Sequence, residues 1–214
     1  MIIMPEITAE LVERWIKNCV QKLKQDEEYL STLDHYVGDG DHGQNVIGAF
    51  RQLESNWPNE VTSLGSIFNY VGSVLQKETE SAAVHLYGEA FLEMSKELHG
   101  NDVTIKQFGA GLQTAVVKMK QIGDTKRGDK TLIDVWASVA DAVEKQTHPN
   151  YLVFEDAAKS ALKTSKYLTA QKGEAAKRGN KSIGFLDPGV VSSYYLFQAL
   201  TNVLTEAEKD SIKN

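Results

Sequence analysis

Apolar residues recur at three- and four-residue steps along almost the whole chain, and that spacing restricts the architecture to packed amphipathic helices. Behind Thr8, a plausible N-cap, come Leu11, Trp15, Ile16, Cys19, Val20 and Leu23. After a Gly-rich interruption Val46, Ile47, Phe50, Leu53 and Trp57 form a second stripe, stopped near Pro58. Leu64, Phe68, Val71 and Leu75 form a third, and Ala82, Leu86, Ala90 and Met94 a fourth that closes at Gly100. Thr104 predicts the start of a fifth helix carrying Phe108, Leu112, Ala115, Val116 and Met119 to about Gly123. Thr131 opens a sixth with Val135, Val139, Ala142 and Val143; Phe154, Ala157, Ala158, Ala161, Leu162 and Leu168 mark a seventh. Pro188 suits the first position of an eighth with Val191, Tyr194, Tyr195, Phe197 and Leu200. No hairpin dipeptide lies between alternating apolar residues, so no strand is predicted. The connections are short and nothing resembles a linker or a repeat. The expected architecture is all-α: one domain over 1–214, with a core from about 8 to 205, built from about eight antiparallel helices.

Composition narrows the partners. The 214 residues are 42% hydrophobic and 24% charged, as in ordinary globular chains. A domain of this size buries about 70% of its unfolded surface and needs no disulfide or zinc. Cys19 is the single cysteine and reads as a small buried hydrophobe on the first stripe. A net charge of −6 disfavours a nucleic-acid surface. No apolar run approaches a membrane span, and the N-terminus lacks the basic and apolar regions of a secretory signal, so the expected compartment is the cytosol.

The segment from Asp34 to Asn45 carries the strongest chemical signal. Asp34, Asp39 and Asp41 alternate with Gly38, Gly40 and Gly43 just ahead of a helix. Glycines let the backbone turn several side chains toward one point, and converging carboxylates call for a cation. Mg²⁺ takes hard oxygen ligands and usually joins one or two carboxylates to substrate phosphates, while a helix N-terminus offers N–H groups to an anion. An EF-hand fails on spacing: counted from Asp39, its third ligand is Gly43 and its closing glutamate is Phe50. The bland reading is a solvated polar loop. His42, inside the segment, is placed to reach a phosphate; His35, His99 and His148 read as surface groups. Two further loops read as structural when taken alone. One is Gly123–Trp136, with Thr131 as cap and Asp134 favouring the helix start; the other is Ser182–Gly189. Tyr194, Tyr195 and Phe197 read as core.

In this order the three loops resemble the nucleotide-binding, L-type subunit of dihydroxyacetone kinase (glycerone kinase). The likeness runs from Trp15 to about Leu200 and rests on Asp34 with Gly38-Asp39-Gly40-Asp41-His42-Gly43, Gly128-Asp-Lys-Thr131 with Asp134-Val-Trp136, and Lys181-Ser-Ile-Gly184 with Asp187-Pro-Gly189. The resemblance implies a closed barrel of eight helices with the nucleotide at one end. It implies that Asp34, Asp39 and Asp41 hold two Mg²⁺ ions and that His42, Gly43, Gln44 and Asn45 touch the phosphates of ADP or ATP, with His42 the candidate catalytic group. Gly123 and Leu132 would line the base, and Asp187, Pro188 and Gly189 would close the pocket. In the bacterial phosphotransferase-system version the subunit keeps its nucleotide, takes phosphate from a phosphohistidine donor protein and passes it to dihydroxyacetone held on a separate K-type subunit. Nucleic acid and membrane are not among the implied partners, and a homodimer is left open.

Two positions depart from the family. Where members carry a phosphate-gripping Gly-Gly-Ala-Ser-Gly-Pro ahead of a Leu-(Tyr/Phe)-Gly, this chain has Glu80-Ser-Ala82-Ala83-Val-His85 before Leu86-Tyr87-Gly88. Ala82 and Ala83 thus occupy phosphate-loop positions. Glu174 stands where the family has an arginine that reaches the nucleotide, exchanging a bidentate donor for a repelling carboxylate. The reading is therefore a kinase subunit that moves a phosphoryl group. The alternative is a non-catalytic paralogue, a binding or regulatory module with weakened nucleotide affinity.

Overall fold

The computed structural model describes residues 6–37, 40–55, 57–58, 63–77 and 81–213, so Gly38, Asp39 and Glu80 lie outside the described residues. Ten α-helices occur among them: α1 (Ala9–Gln25), α2 (Glu27–Val37), α3 (His42–Ser55), α4 (Leu64–Leu75), α5 (Ala82–Glu97), α6 (Ile105–Ile122), α7 (Leu132–Glu144), α8 (Leu152–Ser165), α9 (Gly173–Ala176) and α10 (Pro188–Lys213). None is long and apolar enough to cross a membrane. The expected caps are in place. Thr8 accepts from the Leu11 N–H, Thr104 forms a capping box with Gln107, and Thr131 forms one with Asp134.

The structure corrects the sequence reading in three places. Helix α2, which matches none of the eight stripes, forms after a one-residue break at Asp26; among its described side chains Leu30 is the fully buried apolar one and Leu33 packs at the edge, too thin a stripe to stand out. Two short strands, β1 (Ile7–Thr8) and β2 (Asp102–Val103), pair antiparallel with Ile7 opposite Val103 and tie the chain's start to the α5–α6 connection. The seventh stripe, expected to reach Leu168, ends as α8 at Ser165, and the stretch after it winds into α9 and a 3₁₀ turn over Gly179–Ser182.

The long helices close a ring. Neighbours run α4, α5, α6, α7, α8, α10, α1, and α1 packs back on α3 and α4, with α2 bridging α3 and α10. The interior is aromatic. Trp15 meets Phe68, Phe91 and Phe108 at centroid distances of 6.4, 6.0 and 5.9 Å, and Trp136 meets Phe91 and Phe197 at 6.0 and 5.2 Å. Phe91 joins the two clusters, so one core spans helices from both halves of the chain. The Trp15 indole N–H donates to the Leu196 carbonyl at 2.7 Å, satisfying its one polar atom inside the ring.

Helices α4 and α5 approach most closely at Gly72. A β-carbon there would lie 2.8 Å from the Gly88 carbonyl oxygen and 2.9 Å from the Leu92 nitrogen, backbone atoms that cannot swing aside. Alanine has the better helix propensity by about 1 kcal/mol, so propensity and packing oppose each other at this site. Packing wins: Gly72→Ala should lower unfolding stability by about 1–3 kcal/mol, the usual cost of overpacking. Urea unfolding measures it, and an unchanged or raised midpoint would contradict the close approach.

Candidate functional site

Asp34 sits on the last turn of α2, 6% exposed, and its Oδ2 accepts the backbone N–H groups of Gly40 (2.9 Å) and His42 (3.0 Å). One carboxylate oxygen thereby folds the following loop back over its own helix and receives the first residue of α3. Gly40 makes the turn at φ 92°, where a β-carbon would meet the His35 ring at 2.4 Å, so only glycine fits. Asp41, exposed, precedes α3 and its carbonyl accepts the Asn45 N–H at 2.9 Å. His35, His99 and His148 are exposed, as expected of surface groups. Cys19 is fully buried, and burial pushes its thiol far up, out of reach of thiolate chemistry.

His42 is held from below. Its Nε2 lies 3.3 Å from the Ser192 hydroxyl, which lies 2.8 Å from the Tyr87 hydroxyl; Tyr87 in turn meets Ser193 at 2.8 Å and the Gly189 carbonyl at 3.3 Å. Burial pushes the Tyr87 phenol well above its ordinary value, against the opposing hydroxyls of Ser192 and Ser193, so it stays a neutral donor. It connects α3, α5 and α10 at one point.

The 123–131 loop is organised by two buried acids, as its structural reading predicts. Asp129 Oδ2 accepts from the Thr125 hydroxyl (3.1 Å) and the Lys126 N–H (2.9 Å); Asp134 accepts from Gly128 and Thr131 at 2.5 and 2.9 Å. At the start of α10 the Asp187 Oδ1 accepts the Val190 N–H at 3.0 Å, an N-cap. Burial pushes the Asp187 carboxyl up to about 6; the Asp34 charge adds to this, while the backbone N–H groups of Val190 and Gly189 and the Lys130 ammonium oppose it. Gly189 marks where the parts converge: a β-carbon on it would lie 3.0 Å from Asp187 Oδ1, 3.5 Å from Leu132 and 3.6 Å from His42 Cε1.

These loops enclose a cavity of about 480 Å³ at one end of the ring. Asp34, Asp41, His42 and Asn45 line it from the α2–α3 side, Ala82 and Ala83 from the start of α5, Gly123 and Leu132 from the 123–132 loop, and Asp187, Pro188 and Gly189 from α10. Residues expected to share a site are thus gathered from four distant stretches. Gly43 and Gln44 are not in the lining: Gly43 is buried against Ser31 and Glu27 of α2, and Gln44 is exposed. Leu86, Ile122, Lys172 and Ala175 line the cavity without having been singled out as ligand-binding. Leu86 belongs to the preserved Leu-Tyr-Gly stretch, which was the available signal; Ile122 and Ala175 carried none.

The cavity has two characters. Leu86, Ile122, Leu132 and Ala175 make apolar wall, whereas Asp34, Asp41, Glu174 and Asp187 bring carboxylates. The lysine in the lining, Lys172, has its ammonium 3.1 Å from Asp124, and Glu174 is paired with Lys177 at 2.7 Å. Among the described residues no cluster of three or more His, Cys, Asp or Glu is gathered tightly enough to hold a metal alone. An acidic rim lacking a complete cage fits Mg²⁺, which shares its shell between one or two carboxylates, waters and phosphate oxygens. At the first of the two departing positions, Ser81 caps α5 by accepting from the Val84 N–H and Ala82 is already helical, so a helix start occupies the place of a glycine-rich loop.

Comparison with known proteins places the chain in a family and agrees with its fold. The family model described as the DAK2 domain matches residues 36–202. The "PEP-dependent dihydroxyacetone kinase 1, ADP-binding subunit DhaL" of Listeria innocua is 32% identical over 188 residues, 87% of this chain and 92% of that one. The "PTS-dependent dihydroxyacetone kinase, ADP-binding subunit DhaL" of Lactococcus lactis is 33% identical over 199 residues, 92% of this chain and 99% of that one. The crystal structure of the dihydroxyacetone kinase from C. freundii in complex with AMP-PNP and Mg²⁺ superposes with a TM-score of 0.71 at 22% identity, covering 94% of this chain and 35% of that one, a likeness of fold. The chain therefore belongs to the DAK2 domain family, alongside the ADP-binding DhaL subunits of dihydroxyacetone kinases.

Proposed function

We propose that residues 8–205 act as one nucleotide-binding unit, the ADP- or ATP-binding subunit of a dihydroxyacetone kinase, which passes a phosphoryl group to dihydroxyacetone held on a separate K-type subunit. The observation that carries this reading is the polarity of this cavity. Its apolar wall of Leu86, Ile122, Leu132 and Gly123 suits an adenine ring, and its acidic side of Asp34 and Asp41 suits a metal-bound phosphate tail. The likeness to a PTS-dependent subunit supports phosphotransferase-system dependence, and a phosphohistidine donor protein as the second partner is part of the same proposal.

In this reading Asp34 and Asp41, with Asp39 beside them in sequence, hold two Mg²⁺ ions. When bound, the ions offset phosphate charge as the phosphoryl group moves. Asp34 is held in place at the cavity edge, because its Oδ2 accepts two backbone N–H groups. His42, steadied by Ser192, is the candidate for contacting the terminal phosphate; Asn45, one turn along α3, and the N-terminus of that helix add neutral donors. Asp187 closes the site and fixes α10.

A second reading, the non-catalytic binding or regulatory module, is favoured by one observation: the wall beside the proposed phosphate tail is made by the helical Ala82 and Ala83 and by Glu174 instead of glycines and an arginine. Two experiments separate the readings. Calorimetry with ADP and millimolar Mg²⁺ should show binding that EDTA abolishes, and Asp41→Asn, which keeps a helix-capping residue ahead of α3, should weaken it by about tenfold or more. Absence of binding with Mg²⁺ present would overturn the nucleotide reading. Glu174→Arg replaces a repelling group with a donor and should tighten ADP by about tenfold; unchanged affinity would show that this position does not act on the phosphates.

A further inference from the structure

The mechanism above leaves one buried cation unused. Lys130 is 1% exposed, although a lysine normally keeps its ammonium in water. Its backbone adopts φ 62°, the left-handed region that a β-carbon disfavours and that persists only where surrounding contacts hold it. Its Nζ donates to the Ser182 carbonyl at 2.6 Å and to the Leu168 carbonyl at 3.0 Å, residues fourteen positions apart that flank α9 and the 3₁₀ turn. The two arms are tied at neighbouring points as well. The Ala170 N–H donates to the buried Ser182 hydroxyl at 2.9 Å, that hydroxyl donates to the Gly179 carbonyl at 2.7 Å, and the Gly184 N–H donates to the Lys166 carbonyl at 2.8 Å. The Gln171 N–H reaches the Asp129 carbonyl at 3.0 Å, next to Lys130 itself.

Between the arms lie Lys172, Gly173, Glu174 and Ala175, all part of the cavity wall. This stretch has only a four-residue helix, and its buried cluster, Ala170 with Ala175, is separate from the main core. Apolar burial is therefore too small to set its position. The polar ties must do so, and the strongest are the two charge-assisted bonds from Lys130.

We propose that Lys130 is a positioning residue: its buried ammonium clamps the two arms of the 166–184 segment and so places the Lys172–Ala175 wall against the cavity. Burial lowers the Lys130 ammonium from its ordinary value, and Asp187, which also borders the cavity, is the acid whose charge opposes this, so clamp and site share one electrostatic neighbourhood. The plain alternative is a lysine whose stem merely fills space, for which methionine would serve as well. The proposal rests on the nucleotide reading only for its binding consequence; the clamp itself is tested without ligand.

The test is hydrogen exchange of the nucleotide-free protein, wild type against Lys130→Met. Peptides covering 166–184 should exchange about tenfold faster or more, while peptides from α1 and α4–α7 keep wild-type protection. Wild-type exchange in 166–184, or acceleration spread evenly over the chain, would overturn the clamp. If Lys130→Met does not fold, Lys130→Gln decides, since its shorter neutral amide cannot keep both charge-assisted bonds: it should loosen 166–184 alone, and wild-type exchange there would overturn the proposal. With folded Lys130→Met, Mg²⁺–ADP should bind about tenfold more weakly. A loosened segment with unchanged ADP affinity would overturn the placement of the wall and leave the clamp, whereas no binding by wild type would count against the nucleotide reading alone.

Discussion

The site depends first on a single carboxylate oxygen. Asp34 Oδ2 accepts two backbone N–H groups from the residues that follow it, and this pins the loop, sets the start of α3 and places His42 over the floor formed by α10. Removing that acceptor would leave two N–H groups unsatisfied in a partly buried turn, at a cost of about 1–3 kcal/mol each. The same carboxylate is proposed as a metal ligand, so structure and chemistry draw on one group. That dual use accounts for an acid on the last turn of a helix, where the negative end of the helix dipole disfavours it.

The rest of the molecule makes this arrangement durable. The ring of helices shares one aromatic core through Trp15, Phe91 and Trp136, and the same helices end at the cavity. Beneath His42 the hydroxyls of Ser192, Tyr87 and Ser193 satisfy one another in the interior, a network whose cost of disruption ties α3, α5 and α10 together. Opposite them the 166–184 segment is packed thinly and tied by polar bonds. The cavity thus has one rigid wall built on helices and one wall held mainly by hydrogen bonds, an arrangement suited to a ligand that must be enclosed after it enters.

Much of this was legible in the sequence because its signals are local. Thr8, Thr104 and Thr131 cap helices through contacts two or three residues away, and Pro188 begins α10 with Asp187 as its cap. The long helices announced themselves through wide apolar stripes. What escaped is nonlocal or weakly patterned. Helix α2 buries little beyond Leu30 and is held by its neighbours α3 and α10 more than by its own stripe. The β1–β2 pair joins residues almost a hundred positions apart through two residues per strand, below any periodic signal. At the site, the resemblance identified Asp34, Asp41, His42 and Asp187, which the structure brings to one cavity. Ile122, Lys172 and Ala175 line it through chain crossings that no local motif encodes. Gly43, expected near phosphate, instead lets α2 and α3 approach, a role visible only once both helices are in place.

The most direct measurement is anomalous diffraction from crystals grown with Mn²⁺ and ADP. The account predicts manganese peaks bounded by the Asp34 and Asp41 carboxylates, with the diphosphate beside them and the adenine against Leu132 and Gly123. An adenine seated at the acidic end, or bound ADP with Asp34 and Asp41 remote from every metal peak, would contradict it.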